Sequence, residues 1–211
     1  MMKNSKLILI ILSCFFISWK DKDPIKAPNI VLIVADDLGY SDLGCFGSEI
    51  VTPNIDALAK QGQIFTNFYT ESTCSPSRAM LLTGTDNHIA GLGNMAENVP
   101  NFPEQIGKPG YEGYLNNKVV CVAQLMKDAG YNTYTAGKWH LGLTADESPT
   151  AKGFERSFTL LDAAANHFYP DARSTSFWED DHFTNYPNGQ YSTDVYTNKM
   201  SNSEKRQIQE S

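Results

Sequence analysis

The stretch NIVLIVADDLG, residues 29–39, decides the fold that the sequence predicts. Its five consecutive apolar residues, Ile30 to Val34, form a short and mostly β-branched run, which is typical of a strand buried on both faces in a parallel sheet. Asp36 and Asp37 follow at once, so they lie at the carboxyl end of the predicted strand. Ligands of open α/β sheets bind just beyond such ends. The stretch therefore predicts both a sheet and the edge of it where a site belongs.

Helices and strands alternate along the chain after this stretch. TPNIDALAKQG, residues 52–62, predicts a helix because a threonine can cap it, a proline suits its first position and a glycine ends it, with an inward stripe of Ile55, Leu58 and Ala59. QIFTNFYT, residues 63–70, predicts a strand. Asn117 can cap a later helix that Gly130 ends, with a predicted buried side of Val119, Val122, Leu125, Met126 and Ala129.

This alternation gives the predicted fold class. YNTYTAG, residues 131–137, predicts a further strand, and KWHLG, residues 138–142, directly follows it. Strands that alternate with helices indicate an α/β fold with a mainly parallel sheet flanked by helices. Residues 143–198 are rich in Asp, Asn, Tyr and Phe, and they predict long loops.

The composition excludes some classes of function. The chain has 211 residues, 41% of them hydrophobic, and a formal net charge of −7, which together indicate a globular domain with a core of its own. Nucleic-acid surfaces need clustered Lys and Arg, so the acidic balance predicts no nucleic-acid partner. An anionic substrate stays compatible with this balance, because a few local cations can hold one inside an acidic protein.

The first residues predict an export leader over residues 1–19. A positive start is followed by a short apolar stretch, Leu7 to Trp19, which suits a signal peptide better than a membrane span of about 20 residues. An N-terminal anchor is the alternative. Residues 11–14, ending at Cys14, resemble a bacterial lipoprotein cleavage box, although the apolar run continues past it. We therefore expect an exported protein, periplasmic or an outer-membrane lipoprotein whose membrane contact is only a lipid anchor, with residues 20–28 as a linker.

The adjacent acids Asp36 and Asp37 are candidate metal ligands. Two carboxylates side by side repel each other unless a cation lies between them. A hard cation such as Ca²⁺ needs several oxygen ligands, which carboxylates supply. The alternative is a surface turn, which Asp-Asp-Leu-Gly also suits.

Cys74 is the cysteine with chemistry around it, in CSPSRAMLLTG, residues 74–84. The apolar run in this segment predicts a helix, and a helix N-terminus favours anions. Arg78 adds a permanent charge one turn away, so a thiolate nucleophile is one interpretation. A buried cysteine before a helical proline is the other. Cys121 lies in an apolar pattern and is predicted to be a small core residue.

Lys138 and His140 form the third candidate pair. They are two residues apart, so on an extended segment their side chains point to the same side. A Lys and a His that converge on one spot suit an anion and a proton transfer. A surface Lys beside a His with structural partners is the alternative.

Together these segments resemble one family. PNIVLIVADDLGYSDLGCFG, TPNIDALAKQG, CSPSRAMLLTG and AGKWHLG occur here in the order seen in type I sulfatases, and the resemblance runs from about residue 28 to residue 200. GTDNHIAGLGNMAE, KPGYEGYLN and GFERSFTLLDAAANHFYP are similar to the bacterial arylsulfatase subgroup in particular. The resemblance implies an alkaline-phosphatase-like fold, with residues 29–200 as the N-terminal part of the catalytic domain.

The resemblance also implies a reaction. In this family a maturation enzyme, which reads positions equivalent to Pro76 and Arg78, oxidises the residue equivalent to Cys74 to formylglycine. One hydroxyl of the hydrated aldehyde attacks the sulfur of a sulfate ester and forms a covalent sulfated intermediate. The second hydroxyl loses its proton, sulfate leaves and the aldehyde is restored. The implied substrate is a small sulfate ester or a sulfated glycan.

The remaining candidates receive their roles from the same resemblance. Asp36, Asp37 and the modified Cys74 would bind Ca²⁺, and the ion together with Lys138 would neutralise the sulfate oxygens. Arg78 would hold the diol. His140 would donate or accept a hydrogen bond at the diol and act in the elimination step.

The sequence departs from the family at its end. The family's other metal ligands, an Asp-Asn pair, and a second His and Lys come from a later segment, and SNSEKRQIQES, residues 201–211, reads as an atypical polar tail. We therefore expect a truncated fold and a poorly active form. The alternatives are a phosphodiesterase or phosphonate monoester hydrolase of the same superfamily, and a non-catalytic exported remnant.

Overall fold

The computed structural model describes residues 27–168, 177–187 and 189–210, with side chains up to residue 203. The predicted leader, Cys14 and most of the predicted linker lie outside the described residues. Contacts divide the chain into two units, Met1–Asp36 and Asp37–Ser211. No helix among the described residues is both long and apolar enough to cross a membrane.

The second unit holds the regular secondary structure of the described chain. The α-helices are α1 (Pro53–Gln61), α2 (Cys74–Thr83), α3 (Val122–Asp128) and α4 (Ser192–Glu210), and the strands are β1 (Tyr134–Lys138), β2 (Arg156–Leu160), β3 (Phe177–Glu179) and β4 (His182–Phe183). Single turns of 3₁₀ helix lie at Gly44–Phe46, Val99–Asn101, Ala145–Glu147 and Thr150–Lys152.

The four strands form one mixed sheet in the order β1-β2-β3-β4. β1 and β2 are parallel, with Tyr134 opposite Arg156 and Lys138 opposite Leu160. β2 and β3, and then β3 and β4, are antiparallel. The strand at 131–137 is thus confirmed, but the prediction of a mainly parallel sheet is wrong for the described strands. The two residues between β3 and β4 leave room only for a hairpin, which imposes antiparallel pairing.

The stretch that decided the predicted fold is not a strand in this structure. Residues 27–35 have no assigned secondary structure, and the five apolar side chains from Ile30 to Val34 are 44–81% exposed. The predicted strand at 63–70 is absent from the structure as well. A strand requires a hydrogen-bonded neighbour as well as an apolar run, and neither segment pairs with another in the described part of the chain.

The helix α1 has the predicted limits but not the predicted buried stripe. Pro53 is its first residue, and Gly62 follows its last. Ile55 and Leu58 are 46% and 64% exposed, and α1 buries none of its residues. The Thr52 hydroxyl donates to the Asp56 carboxylate at 2.9 Å, so polar contacts rather than apolar packing hold this end of the helix.

The helix α3 is shorter than predicted. It begins at Val122 with Cys121 as its N-cap, whereas Asn117 was the predicted cap. Its buried residues are Ala123 and the cap Cys121, while Leu125 is 56% exposed. The small side chains face the core because α2 packs close by, so Cys121 is a core residue as predicted.

Residues 143–198 were predicted as loops, yet they contain β2, β3, β4 and the start of α4. The helix α4 also continues through most of the segment 201–211 that was expected to be an atypical tail. Val195 and Tyr196 on α4 pack against Phe158 of β2. This contact explains the missed helix, because α4 has few apolar residues among many polar ones, namely Val195, Tyr196, Met200 and Ile208.

The main core lies where α2 meets the ends of β1 and β2. Its members share near-complete burial and include Ala79, Leu82, Ala90, Leu92, Leu115, Cys121, Ala123, Trp139, Leu141, Leu161 and Trp178. The residues directly after β1 and β2 therefore belong to the largest buried cluster of the described residues, and this region carries the candidate site.

Candidate active site

The helix α2 places Cys74 at its first position, as the sequence predicted. Thr73 precedes it with extended backbone angles (φ −132°, ψ 157°). Pro76 lies in the first turn, where a backbone N–H has no intrahelical acceptor to lose. Gly84 ends the helix in the left-handed region (φ 64°) and donates its N–H to the Met80 carbonyl. Cys74 is half-buried at the mouth of this helix.

The backbone after β1 stays bonded to the backbone after β2. The Trp139 N–H donates to Leu160 O at 2.7 Å, and the His140 N–H donates to Leu161 O at 3.1 Å. At His140 the chain then enters the left-handed region, with φ of 54°. The extended geometry that predicted Lys138 and His140 on the same side therefore ends before His140, and convergence of the Lys138 ammonium with the imidazole stays a prediction.

Arg78 ties α2 to the end of β1. Its Nε donates to the Trp139 carbonyl at 2.7 Å, and one of its terminal nitrogens donates to the Lys138 carbonyl. A guanidinium has five N–H donors in a fixed fork, which suits two neighbouring carbonyls. Arg78 therefore has a structural part in this site, because it fixes the first turns of α2 against the segment that carries His140.

This tie brings Cys74 and His140 together. Cys74 Sγ lies 3.3 Å from His140 Nδ1 and 3.5 Å from Met95 Sδ. On the other side of the ring, His140 Nε2 lies 3.2 Å from the Glu97 carboxylate. Glu97, His140 and Cys74 thus form a continuous chain of polar contacts that ends at the start of α2.

Burial decides the charge preference of His140. The residue is only 6% exposed, and this burial lowers the pKa of the imidazole below its usual range, against the neighbouring Glu97 carboxylate, which acts to raise it. A buried imidazole without full compensation prefers the neutral form. One of its two nitrogens is then an acceptor, so the site offers a base beside Cys74.

The predicted metal ligands Asp36 and Asp37 lie at the boundary between the two units. Asp36 is the last residue of the first unit, and Asp37 begins the second with φ of 55°. Across the described ranges, no group of three or more His, Cys, Asp and Glu side chains is gathered so that it could hold a metal ion. Ca²⁺ prefers six or more oxygen ligands, so the described residues do not form a complete site for it, and convergence of the two acids with Cys74 stays a prediction.

Sequence reasoning missed Glu97 and Met95. Both lie in GLGNMAE, residues 91–97, which was quoted for its resemblance but given no role. This segment has no regular secondary structure, and it is distant in sequence from both Cys74 and His140. No spacing rule links residue 97 to residue 140. Glu97 is recognisable by its contact with His140, and that contact is visible only once the fold is known.

Comparison with known proteins gives a consistent result. The model of the family named Sulfatase matches residues 28–211. A protein from Schizosaccharomyces pombe, named an uncharacterized sulfatase, is 60% identical over 144 residues, which cover 68% of this chain and 26% of that protein. The arylsulfatase of Klebsiella aerogenes is 40% identical over 182 residues, which cover 83% of this chain and 38% of that enzyme.

A solved structure agrees with these relatives. The structure described as Ps i-CgsB in complex with k-i-k-neocarrahexaose matches with a TM-score of 0.68 and 29% identity, over 86% of this chain and 42% of that one. The fold is thus the alkaline-phosphatase-like α/β fold that the resemblance implied, present here over part of its length. This chain spans 26% and 38% of the two relatives named above.

The match confirms the family that the sequence motifs indicated, whereas the narrower bacterial arylsulfatase subgroup stays a prediction. The residues matched begin at Pro28 and include every candidate site residue from Asp36 to His140. On this match and on the helix that presents Cys74 to His140, the chain belongs to the sulfatase family.

Proposed function

We propose that this chain carries the nucleophile and the proton acceptor of an enzyme that hydrolyses sulfate esters, with Cys74 and His140 in these roles. The observation that carries the proposal is the 3.3 Å contact between Cys74 Sγ and His140 Nδ1 at the start of α2. A nucleophile and a base within hydrogen-bonding reach of each other are what covalent catalysis requires. The proposal concerns the activity of the whole protein, because this chain spans 26% and 38% of the two relatives named above.

The proposal includes conversion of Cys74 to formylglycine by a maturation enzyme. The hydrated aldehyde supplies an oxygen nucleophile toward sulfur. Cys74 is half-buried, and its neighbours Nδ1 of His140 and Sδ of Met95 are both able to accept a hydrogen bond, so the surroundings fit a hydroxyl at this position. Cys74 is also the cysteine followed by the x-Pro-x-Arg pattern; Cys45 and Cys121 lack it.

Four further candidate residues complete the proposal. Asp36 and Asp37 are the proposed Ca²⁺ ligands, together with the modified Cys74. Lys138 ends β1, and Arg78 binds its carbonyl as well as that of Trp139. The Lys138 ammonium is proposed to neutralise sulfate oxygens. His140 is proposed to take a proton at Nδ1, since its burial favours the neutral ring.

The proposed substrate class is a sulfated glycan or a smaller sulfate ester. The support is the likeness, at 29% identity, to a structure whose description names a complex with k-i-k-neocarrahexaose. The arylsulfatase named above favours the smaller ester. The predicted leader at residues 1–19 supports an exported protein.

The test begins with the modification. The chain is co-expressed with a formylglycine-generating maturation enzyme, and the peptide that contains residue 74 is analysed by mass spectrometry. We expect conversion at Cys74 and none at Cys45. An unmodified thiol at Cys74 under these conditions would contradict the formylglycine part of the proposal.

Activity is then measured with a nitrophenyl sulfate, whose phenolate leaves without an acid, and with the matching phosphate diester. We expect sulfate turnover that falls to background in Cys74→Ala and is unchanged in the matched control Cys45→Ala. Faster turnover of the diester would favour a phosphodiesterase, and no turnover of either substrate would favour a non-catalytic remnant.

A further inference from the structure

We propose that Glu97 is a positioning residue, which accepts the Nε2–H of His140 and thereby leaves Nδ1 as the acceptor that faces Cys74. The proposal rests on the proposed function, because it concerns the same site and assigns it one more residue. It rests on the placement of three side chains and on the hydrogen-bonding capacity of each.

The two nitrogens of the ring face opposite partners. Nε2 lies 3.2 Å from the Glu97 carboxylate oxygen, and Nδ1 lies 3.3 Å from Cys74 Sγ. An ionised carboxylate can only accept hydrogen bonds, so the nitrogen that faces it must carry the proton. A neutral imidazole has one N–H, and its other nitrogen is then an acceptor. The contact with Glu97 therefore selects the tautomer that Cys74 meets.

Burial makes this selection matter. The His140 side chain is 6% exposed, whereas that of Glu97 is 46% exposed. The carboxylate keeps contact with water and holds its charge at low cost, while the ring has lost most of its water and depends on protein partners. Without Glu97, the Nε2–H would lack a described acceptor, and the ring would gain from donating through Nδ1 instead.

The backbone fixes the position of residue 140 but not the tautomer of its ring. The His140 N–H is bonded to Leu161 O, and Arg78 binds the carbonyl of the preceding residue. These bonds locate the Cα of residue 140 and leave the protonation of the two ring nitrogens undetermined. Such tautomers are set by the hydrogen bond that the other nitrogen makes, which here is the bond to Glu97.

The selected tautomer has a chemical consequence. Nδ1 can accept the proton of the S–H or O–H group that residue 74 carries, and the group left behind gains the negative charge. The ring is then an imidazolium, with the Glu97 carboxylate 3.2 Å from Nε2 to stabilise it. Met95 Sδ also faces Cys74 Sγ, at 3.5 Å, but a thioether is a weak acceptor and cannot take the proton.

A simpler reading treats Glu97 as a surface carboxylate that pairs with a protonated His140 and has no influence on Nδ1. The two readings differ in the protonation of Nδ1. Selection of the tautomer requires Nδ1 without a proton near neutral pH, whereas the ion pair requires protons on both nitrogens. Nitrogen NMR of the ring separates these states directly, because protonated and unprotonated ring nitrogens have distinct shifts.

The experiment uses the chain with ¹⁵N-labelled histidine and unconverted Cys74. The signals of His140 are assigned by their loss in His140→Gln. We expect a protonated Nε2 and an unprotonated Nδ1 in the parent chain, a shift toward the Nδ1–H tautomer in Glu97→Ala, and a smaller shift in Glu97→Gln, whose amide oxygen still accepts. The matched control is Glu104→Ala, an exposed glutamate of the same connecting region.

Two results would overturn the proposal: a doubly protonated or Nδ1–H ring in the parent chain, or an unchanged His140 pattern in Glu97→Ala. The signals of His167, whose Nδ1 lies 2.6 Å from Ser192 Oγ, report whether a variant keeps its fold. If Glu97→Ala loses its fold, the smaller change in Glu97→Gln decides the question.

This experiment is independent of turnover, so it can fail while the proposed function holds, and the reverse is also true. In converted enzyme that hydrolyses sulfate esters, we expect Glu97→Ala to lower kcat about 10-fold or more, with little change in KM. The ~10²–10⁴-fold that a positioned base contributes is the upper bound of this loss. An unchanged kcat in active enzyme would show that the tautomer has no part in the reaction.

Discussion

The residues before Asp36 and the residues after β1 both contain large apolar side chains, but those side chains differ in their exposure to solvent. All five side chains from Ile30 to Val34 are at least 44% exposed, whereas Trp139 and Leu141 are at most 1% exposed. The difference lies in their neighbours. β1 has β2 beside it along its length, and the ladder continues through the Trp139 N–H. An apolar run supplies a driving force for burial only where another element offers a surface.

The largest effect that would test this comparison is truncation of Trp139. Its ring packs edge-on against Phe154, and its Nε1 donates to Glu147 O. We expect Trp139→Ala to lower the free energy of unfolding by about 3–5 kcal/mol, because it leaves a cavity and an unpaired carbonyl. Urea denaturation followed by circular dichroism measures it.

Val31→Ala is the matched truncation in the other region, since Val31 is 81% exposed. Its expected cost is within about 0.5 kcal/mol. Similar losses for the two variants would show that residues 30–34 are buried in solution and that the contrast between the regions is false.

A second and smaller effect concerns the fork of Arg78. Arg78→Lys loses the planar fork that binds the Lys138 and Trp139 carbonyls together, since the donors of an ammonium have no such fixed geometry. We expect a loss of about 1–3 kcal/mol in the free energy of unfolding, because a buried carbonyl loses its partner.

Arg156→Lys is the control, because Arg156 makes a partly exposed ion pair with Asp180 at 2.9 Å. Its expected cost is below about 1 kcal/mol. Equal costs for the two Arg→Lys variants would show that Arg78 does not fix α2 against the end of β1.

The smallest expected effect is a pH dependence of the free energy of unfolding, which comes from Cys121, the N-cap of α3. Burial raises the pKa of the Cys121 thiol, so the unfolded state loses this proton at lower pH than the folded state does. The resulting stability is fully present below about pH 8.5 and is lost as pH rises through the folded pKa, with a slope of at most about 1.4 kcal/mol per pH unit.

Denaturation at a series of alkaline pH values measures this slope. Cys121→Ala should remove it, whereas Cys45→Ala, at a half-buried cysteine, should leave it in place. A slope that survives in Cys121→Ala belongs to another group and would refute the assignment.

Local signals in the sequence predicted local structure well. A capping threonine, an early proline and a following glycine predicted the ends of α1, because these residues act through their own backbone angles. The strand before KWHLG was also predicted correctly, and with it the arrival of His140 at a strand end.

Features that depend on distant partners were not predictable in this way. The pairing of β3 with β4 and the packing of α4 on β2 are contacts between segments whose patterns are weak. In the site, the sequence brought Cys74 and His140 together only through a family resemblance. The contact of His140 with Glu97 joins residues 43 positions apart along the chain, as the structure records it, and no local rule reaches that far.

The left-handed backbone of His140 has a consequence for how this chain tolerates mutation. A side chain with a Cβ costs about 1–2 kcal/mol in this conformation, and glycine avoids that cost. Glycine would also remove a buried ring that contacts Cys74 and Glu97, and the cavity left behind costs stability as well. Position 140 therefore tolerates few replacements, because a new residue must either adopt the left-handed angles with a Cβ or give up the packing of the ring. A designer who raises the melting temperature of this chain should leave it untouched.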